Sequence, residues 1–308
     1  MKALVWSNNK KIELIDKPVP KIQSPMDVIV KVTLSTICTS DLHIINGFVP
    51  QAVEGIVLGH EFVGEVIEVG TGVKKFSVGD RVSANCETYC GECWFCRHGY
   101  VNNCEKGGWL LGCKIDGCQA EYIRVPYAET SLVKLPDNVS DKEALFVGDI
   151  LSSGYFGAEM CEIKEGDIIA VIGCGPVGFN PLIDDIEYEI KHLSSNRGAD
   201  GVIEAAGGDS TFELAWKIAR PNAIVGVVAM YEDNQVLPLP QMYGKNLTFK
   251  TGGVDAVHCE KLIELISKGV FNTDFLITHN FNFEEIIDAY AFFEQKPQGC
   301  LKVALSYY

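Results

Sequence analysis

The sequence predicts an α/β protein in two parts, a mostly β first part and a second part in which buried strands alternate with helices. Three observations carry this. The chain has 308 residues and 47% hydrophobic content, more than one hydrophobic core usually organises, so two domains are expected. Its first part alternates apolar and polar residues with period two, punctuated by glycine and proline. Near Asp167 the texture changes to a continuous apolar run of the kind found in buried parallel strands.

In order, Lys11 to Ile15, Val28 to Val32, Gly64 to Gly70 and Val78 to Val82 read as short strands, with Pro18, Pro20 and Pro25 marking turns between the first two. A polar loop follows, carrying Cys90, Cys93, Cys96 and Cys104. Strands return at Glu121 to Val125 and Ser131 to Pro136, and a helical stretch then ends near Gly148 and Asp149.

The second part opens on the buried run Asp167 to Ile172, which abuts Gly173-Cys174-Gly175-Pro176-Val177-Gly178. A G-x-G-x-x-G that directly follows such a strand points to a dinucleotide pyrophosphate, because its glycines let backbone N–H groups approach the phosphates. Gly173, Gly175, Pro176, Val177 and Gly178 are therefore the candidate cofactor residues. Yet the motif should open a helix, and Pro181 is ill suited to the first turns of one. A second strand and a ribose-contacting residue about 20 positions on have no room before Leu182 to Leu193, an acidic amphipathic helix. On the order of 30 to 40 residues, one βαβ unit's worth, are missing near Gly178 to Pro181. Either the natural chain is shortened here or a segment is missing from the sequence; the second is favoured, because a packed sheet without its second strand would expose core. Beyond it come a strand at Gly201 to Gly208, a helix at Ser210 to Ala219, strands at Ala223 to Ala229 and Leu247 to Lys250, and helices near His258 to Lys268 and Glu284 to Glu294. A closing strand runs over Gly299 to Leu305.

A formal charge of -15 and a pI near 4.8 argue against nucleic-acid or anionic-membrane partners. No signal-peptide core or bilayer-length apolar run is present, so a cytoplasmic location is expected. In that reducing compartment the 12 cysteines read as thiols and metal ligands rather than disulfides.

Two stretches are chemically dense. Cys38-Thr39-Ser40-Asp41-Leu42-His43 with Gly59-His60-Glu61 offers a thiol, imidazoles and carboxylates that suit a borderline-soft divalent ion such as zinc. The Cys-x2-Cys-x2-Cys-x7-Cys set can close tetrahedrally around one zinc with no open position, which is a structural site, although an iron-sulfur cluster also accepts four cysteines.

Taken with the Gly173 to Gly178 turn and the Gly-Cys-Leu-Lys-Val ending, these residues resemble the zinc-containing medium-chain alcohol dehydrogenases over essentially the whole chain apart from the gap. The resemblance implies a GroES-like β-barrel catalytic domain at 1–149 and 271–308 and a Rossmann doubly wound domain at 150–270. It implies two zinc ions per chain, NAD or NADP, and a homodimer or homotetramer acting on a small alcohol or carbonyl compound. Cys38, His60 and Asp149 match the catalytic ligands, with Glu61 as an additional ligand exchanging with water. Many members carry cysteine where Asp149 stands, while one branch of secondary-alcohol dehydrogenases carries aspartate; a helix-end carboxylate is the alternative for this residue. Ser40 and His43 match a proton relay, and Asp41 would orient His60. Cys86 and Trp109 match pocket positions, though both could equally be core. The implied activity is hydride transfer between an alcohol or polyol and NAD(P); a threonine, sorbitol or formaldehyde dehydrogenase, or a catalytically silent zinc-binding relative, are the alternatives.

Overall fold

The computed structural model describes residues 1–7, 10–173, 183–208, 210–295 and 297–307. Two compact units form, one of Met1–Ser152 with Asp255–Tyr308 and one of Ser153–Val254. The strands of the first 152 residues are β1 (Lys2–Ser7), β2 (Lys11–Asp16), β3 (Val28–Thr36), β4 (Phe62–Val69), β5 (Arg81–Ala84), β6 (Tyr122–Val125) and β7 (Leu132–Lys134). The second unit holds β8 (Ile169–Ile172), β9 (Ala199–Glu204), β10 (Ala219–Val227) and β11 (Thr248–Thr251). The closing strands are β12 (Ile277–Asn282) and β13 (Lys302–Ser306).

In the first unit β1 and β2 form an antiparallel pair, and the larger sheet runs β12-β13-β3-β4-β5-β7 with β6 also on β3. The central strand β3 buries Val28, Val30 and Val32 in one core with Phe62, Leu58, Ile123 and Leu305, as the period-two spacing of these valines requires. That core carries β13 from the far end of the chain beside β3, antiparallel, with Ala304 opposite Thr36.

Two boundaries differ from expectation. The helical stretch does not end at Asp149. A short helix, Asp141–Ala144, capped by Ser140 and Glu143, leads through a π-helical turn at Val147–Leu151 into a helix at Ser152–Met160. The chain re-enters the first unit at Asp255 rather than at residue 271, because the helix Cys259–Ser267 buries Leu262, Ile263 and Ile266 and docks by its end, the Asn138 amide donating to Ser267 Oγ at 2.9 Å.

In the second unit all strand pairs are parallel and the order is β11-β10-β9-β8. The helix Thr211–Ile218 packs Leu214, Ala215 and Ile218 against Val202 and Val225, and Ile186 and Ile190 of the helix Ile183–Leu193 join that core. In the usual doubly wound order 3-2-1-4-5-6 the strand preceding the glycine turn lies between strands 2 and 4. Here β8 occupies that first place and, among the described residues, pairs with β9 alone. Among the described residues the counterparts of strands 2 and 3 are thus absent, and two strands are what the expected shortfall of one βαβ unit holds. Of the candidate cofactor residues, Gly173 directly follows β8, while Gly175, Pro176, Val177 and Gly178 lie outside the described residues. Among the described residues no helix is long and apolar enough to cross a membrane.

Candidate metal centres

Three local devices bring Cys38, His60, Glu61 and Asp149 together. Cys38 caps the helix Thr39–Ile45 from an extended backbone conformation, and its N–H donates to Asp41 Oδ2 at 3.0 Å, so Asp41 both closes the cap and turns inward. His60 and Glu61 immediately precede β4 and follow Gly59, whose φ of +91° and 2.7 Å approach to the Gln119 side chain leave no place for a Cβ. Asp149 sits on the π-helical turn, where Leu151 N–H reaches back to Phe146 O at 2.9 Å. Gly148 makes that turn possible, since a Cβ there would lie 1.7 Å from Ala84 O.

The resulting donor atoms all lie within 4.8 Å of one another. His60 Nε2 is 3.4 Å from Asp149 Oδ2, and Cys38 Sγ is 3.6 Å from the same oxygen. Donors bound to one zinc at about 2.0 to 2.3 Å stand roughly this far apart in a tetrahedron. Glu61 Oε2 is buried and unpartnered, an acceptor left over in the cluster, and its Oε1 is held by Lys302 Nζ at 2.6 Å. On the far side of the imidazole, Asp41 Oδ1 lies 3.6 Å from His60 Nδ1. Gln119 reaches Asp41 Oδ2 with its amide at 3.4 Å and accepts from Tyr290 Oη at 2.6 Å, so a chain of polar groups runs from β-sheet core to ligand. This donor set fits a divalent metal, with a carboxylate beside the far nitrogen of the ring, where metal-bound histidines commonly have a partner.

Comparison with known proteins agrees with the fold. Residues 24–137 match the family model described as "Alcohol dehydrogenase GroES-like domain". The chain is 34% identical to "Zinc-type alcohol dehydrogenase B" of Aspergillus flavus over 297 residues, covering 82% of this chain and 69% of that protein. It is 31% identical to an alcohol dehydrogenase of Cupriavidus necator, covering 99% of this chain and 98% of that one. The chain belongs to the zinc-type alcohol dehydrogenase family. Its fold superposes on alcohol dehydrogenase TADH of Thermus sp. ATN1 with a TM-score of 0.90 at 32% identity, over 100% of both chains. The Cupriavidus alignment runs over 368 positions against the 308 residues here, so about sixty positions of that relative face no residue of this chain.

The electrostatics of this family member's cluster follow from burial and close opposite charges. His60 is fully buried, which disfavours its charge, yet hydrogen bonding to Asp149 and Cys38 and the charge of Asp41 lift its pKa well above the ordinary range. Asp149 is burdened by burial too, but His60 and then Lys302 hold it well below the usual carboxylate range. Burial raises Glu61 to about 7 despite Lys302, with the Asp149 charge adding to the rise. Burial and then Asp149 push the Cys38 thiol up. A cation in their midst would reverse the cost of assembling these anions.

The four-cysteine lobe is the second cluster. Cys93 Sγ lies 3.4 Å from Cys96 Sγ and 4.0 Å from Cys104 Sγ, and Cys90 Sγ lies 3.9 Å from Cys96 Sγ. Cys90 N–H points at Cys104 Sγ and Cys93 N–H at Cys90 Sγ. Backbone donors from Cys96 and Glu105 bring Cys93 down to about 6, whereas burial, then Cys93, pushes Cys96 up to about 12. Four thiolates so close ionise together only around a cation. The spacing fits one ion, since a cluster several atoms across would hold its thiolates farther apart.

Ser40 and His43, one turn apart on the helix Thr39–Ile45, stand as follows. Ser40 Oγ donates to Cys38 Sγ at 3.0 Å and lies 3.4 Å from His60 Nε2. His43 is half-buried with its ring edge-on to Phe48 at 6.3 Å. Both pocket candidates border the cluster: Cys86 Sγ is 3.8 Å from Asp149 Oδ1, and the Trp109 ring meets His60 edge-on at 5.8 Å. Sequence reading missed Lys302, Gln119 and Tyr290. Only Lys302 carried a signal, a lysine inside the apolar run Leu301 to Leu305.

Proposed function

We propose that the chain is a zinc- and nicotinamide-dependent alcohol dehydrogenase that transfers a hydride between an alcohol or polyol and NAD(P). The observation that carries this is the convergence of Cys38, His60, Glu61 and Asp149 within bonding range of one ion, with a hydroxyl beside them. Zinc held by Cys38, His60 and Asp149, with Glu61 as the fourth protein donor available in exchange with water, supplies the Lewis acidity that lowers an alcohol's pKa. The nicotinamide supplies the hydride acceptor. This chain's own residues handle the proton: Ser40 Oγ takes it from the alcohol, and His43, one turn further along the helix, passes it on to solvent. Asp41 fixes the His60 tautomer through Nδ1, and Gln119 and Tyr290 hold Asp41. Zinc in the four-cysteine lobe supports the fold, and the active species is a homodimer or homotetramer.

Cys38→Ser tests the assignment. It should lose alcohol oxidation by at least about a thousandfold and about one zinc per chain, while its unfolding midpoint stays near that of the parent. Retained turnover would reject Cys38 as a ligand.

A second reading has its own observation. Among the described residues no strand pairs with β8 on its side away from β9, which favours a zinc-binding relative that no longer holds a coenzyme. Intact mass and NAD(H) titration separate the two: a mass of 33.8 kDa with no coenzyme binding supports the silent relative, and coenzyme binding by the same chain removes it.

A further inference from the structure

Beside the metal cluster, Thr88 and Gly108 form an isolated antiparallel bridge. Thr88 N–H donates to Gly108 O at 3.0 Å, and Gly108 N–H donates to Thr88 O at 2.6 Å, which makes Thr88 and Gly108 a hydrogen-bonded antiparallel pair. Glu87 and Trp109 flank this bridge, one on each segment, and the chain turns at Trp109, where Leu110 N–H donates back to Gly108 O at 2.8 Å. The bridge adjoins the cluster, for the Trp109 ring packs edge-on against His60.

Among the described residues, two polar groups flanking this bridge lack hydrogen-bond partners. Trp109 Nε1 is buried and makes no hydrogen bond. The half-buried Glu87 carboxyl, among the described residues, accepts no hydrogen bond either, and its Oε2 lies over the bare Gly108, 3.7 Å from where a Cβ would stand. The backbone beneath it is fixed, because Glu87 N–H donates to Asn85 Oδ1 at 2.8 Å and the Asn85 amide donates to Ala256 O at 3.1 Å. An unpartnered carboxyl costs free energy that a purely structural wall would avoid. Burial, opposed by His60 and Lys114, raises Glu87 to about 8.

We propose that Glu87, with the Trp109 indole N–H, recognises a second hydroxyl on the substrate, so that the preferred alcohols are diols or polyols. This rests on the alcohol dehydrogenase reading above and specifies its substrate class. A hydroxyl both donates and accepts, so one group satisfies carboxyl and indole together. An ammonium group would satisfy the carboxyl and leave the indole N–H unpaired. A simple monohydric alcohol leaves both unpaired, which is the situation in which polar pockets discriminate most strongly. Glu87 is thus a specificity residue for the substrate's far end.

The test compares propane-1,2-diol with propan-1-ol and propan-2-ol on the zinc-loaded enzyme. The parent should favour the diol in kcat/KM, and Glu87→Leu should lower the diol-to-monohydric ratio about tenfold or more, mainly through KM. Glu87→Gln, which keeps a donor and an acceptor, should restore most of the ratio. Where Glu87→Leu does not fold, Glu87→Ala reads the same ratio. Equal losses on all three alcohols, or an unchanged ratio, would overturn the proposal. Calorimetric binding of propane-1,2-diol to zinc-loaded protein keeps the idea separate from the activity reading. Diol binding at least about tenfold weaker in Glu87→Leu supports recognition even in a chain that turns over no alcohol, and binding indifferent to Glu87 sinks it.

Discussion

The four-cysteine lobe and the Cys38 cluster are built in opposite ways. The lobe takes four identical donors from the single loop Cys90 to Cys104, with backbone N–H groups already turned toward sulfur. The Cys38 cluster takes thiol, imidazole and carboxylates from three segments, and Cys38 and Asp149 stand 111 residues apart. Around it lie Asp41, Gln119, Tyr290, Lys302 and Ser40. A local, closed, single-type set does the work of a fold restraint. A dispersed set with one carboxylate to spare and a hydroxyl alongside leaves room for a substrate oxygen. The difference separates metal that holds the chain from metal that acts.

The largest effect should come from the lobe. Cys93→Ser removes one of four donors from a loop whose remaining stability is mostly metal binding, and metal binding in such lobes is folding free energy of several kcal/mol. Expected is the loss of one zinc per chain and a clear drop in the thermal midpoint, with turnover falling only as the enzyme unfolds. An unchanged midpoint would erase the distinction drawn between the clusters, since Cys38→Ser is expected to show the reverse pattern.

Next in size is Lys302. Its ammonium sits 2.6 Å from Glu61 Oε1 with both side chains buried, and it reaches Ile37 O at 3.4 Å. Lys302→Met would leave Glu61 buried beside Asp149 with its cation gone, the case in which breaking a buried pair costs most, up to about 3 to 5 kcal/mol. Uptake of a proton by Glu61 softens this, so a loss of about 2 to 3 kcal/mol in urea unfolding is expected. Zinc content should fall at the Cys38 cluster while the lobe stays loaded, and Lys302→Arg should recover most of the stability. A loss shared by both clusters would show that Lys302 serves the fold at large.

Much of this was legible from local pattern. The strands β3, β4 and β6 follow from alternation, the lobe from spacing, and β8 from its apolar run. What local pattern cannot convey is which distant side chains fill the space behind a ligand. Gln119 and Tyr290 look like any polar residue on a strand edge and any aromatic on an amphipathic helix, yet they meet 171 residues apart to brace Asp41. The π-helical turn was equally silent, because it depends on Gly148 fitting against Ala84 O rather than on helix propensity. The shortfall after β8 was legible from spacing, which shows that room is lacking, and the order of the described strands stops at β8 in the same place.

The smallest effect sharpens the comparison at its edge, where a titrating group borders one cluster alone. Glu87 ionises near 4.5 in an unfolded chain and at about 8 in the fold, burial being the first cause. Between those values the unfolded chain has released the proton and the folded one keeps it. Stability of the metal-free protein therefore falls as pH rises from about 4.5 to about 8, by some fraction of the ~1.4 kcal/mol per pH unit that one proton allows, since the group is only half-buried. Glu87→Gln removes that slope, so urea unfolding of parent and variant should agree near pH 4.5 and diverge in the variant's favour toward pH 8. Loading the Cys38 cluster with zinc adds positive charge near Glu87 and should shrink the divergence, whereas a divergence indifferent to zinc would place Glu87 outside the field of that metal.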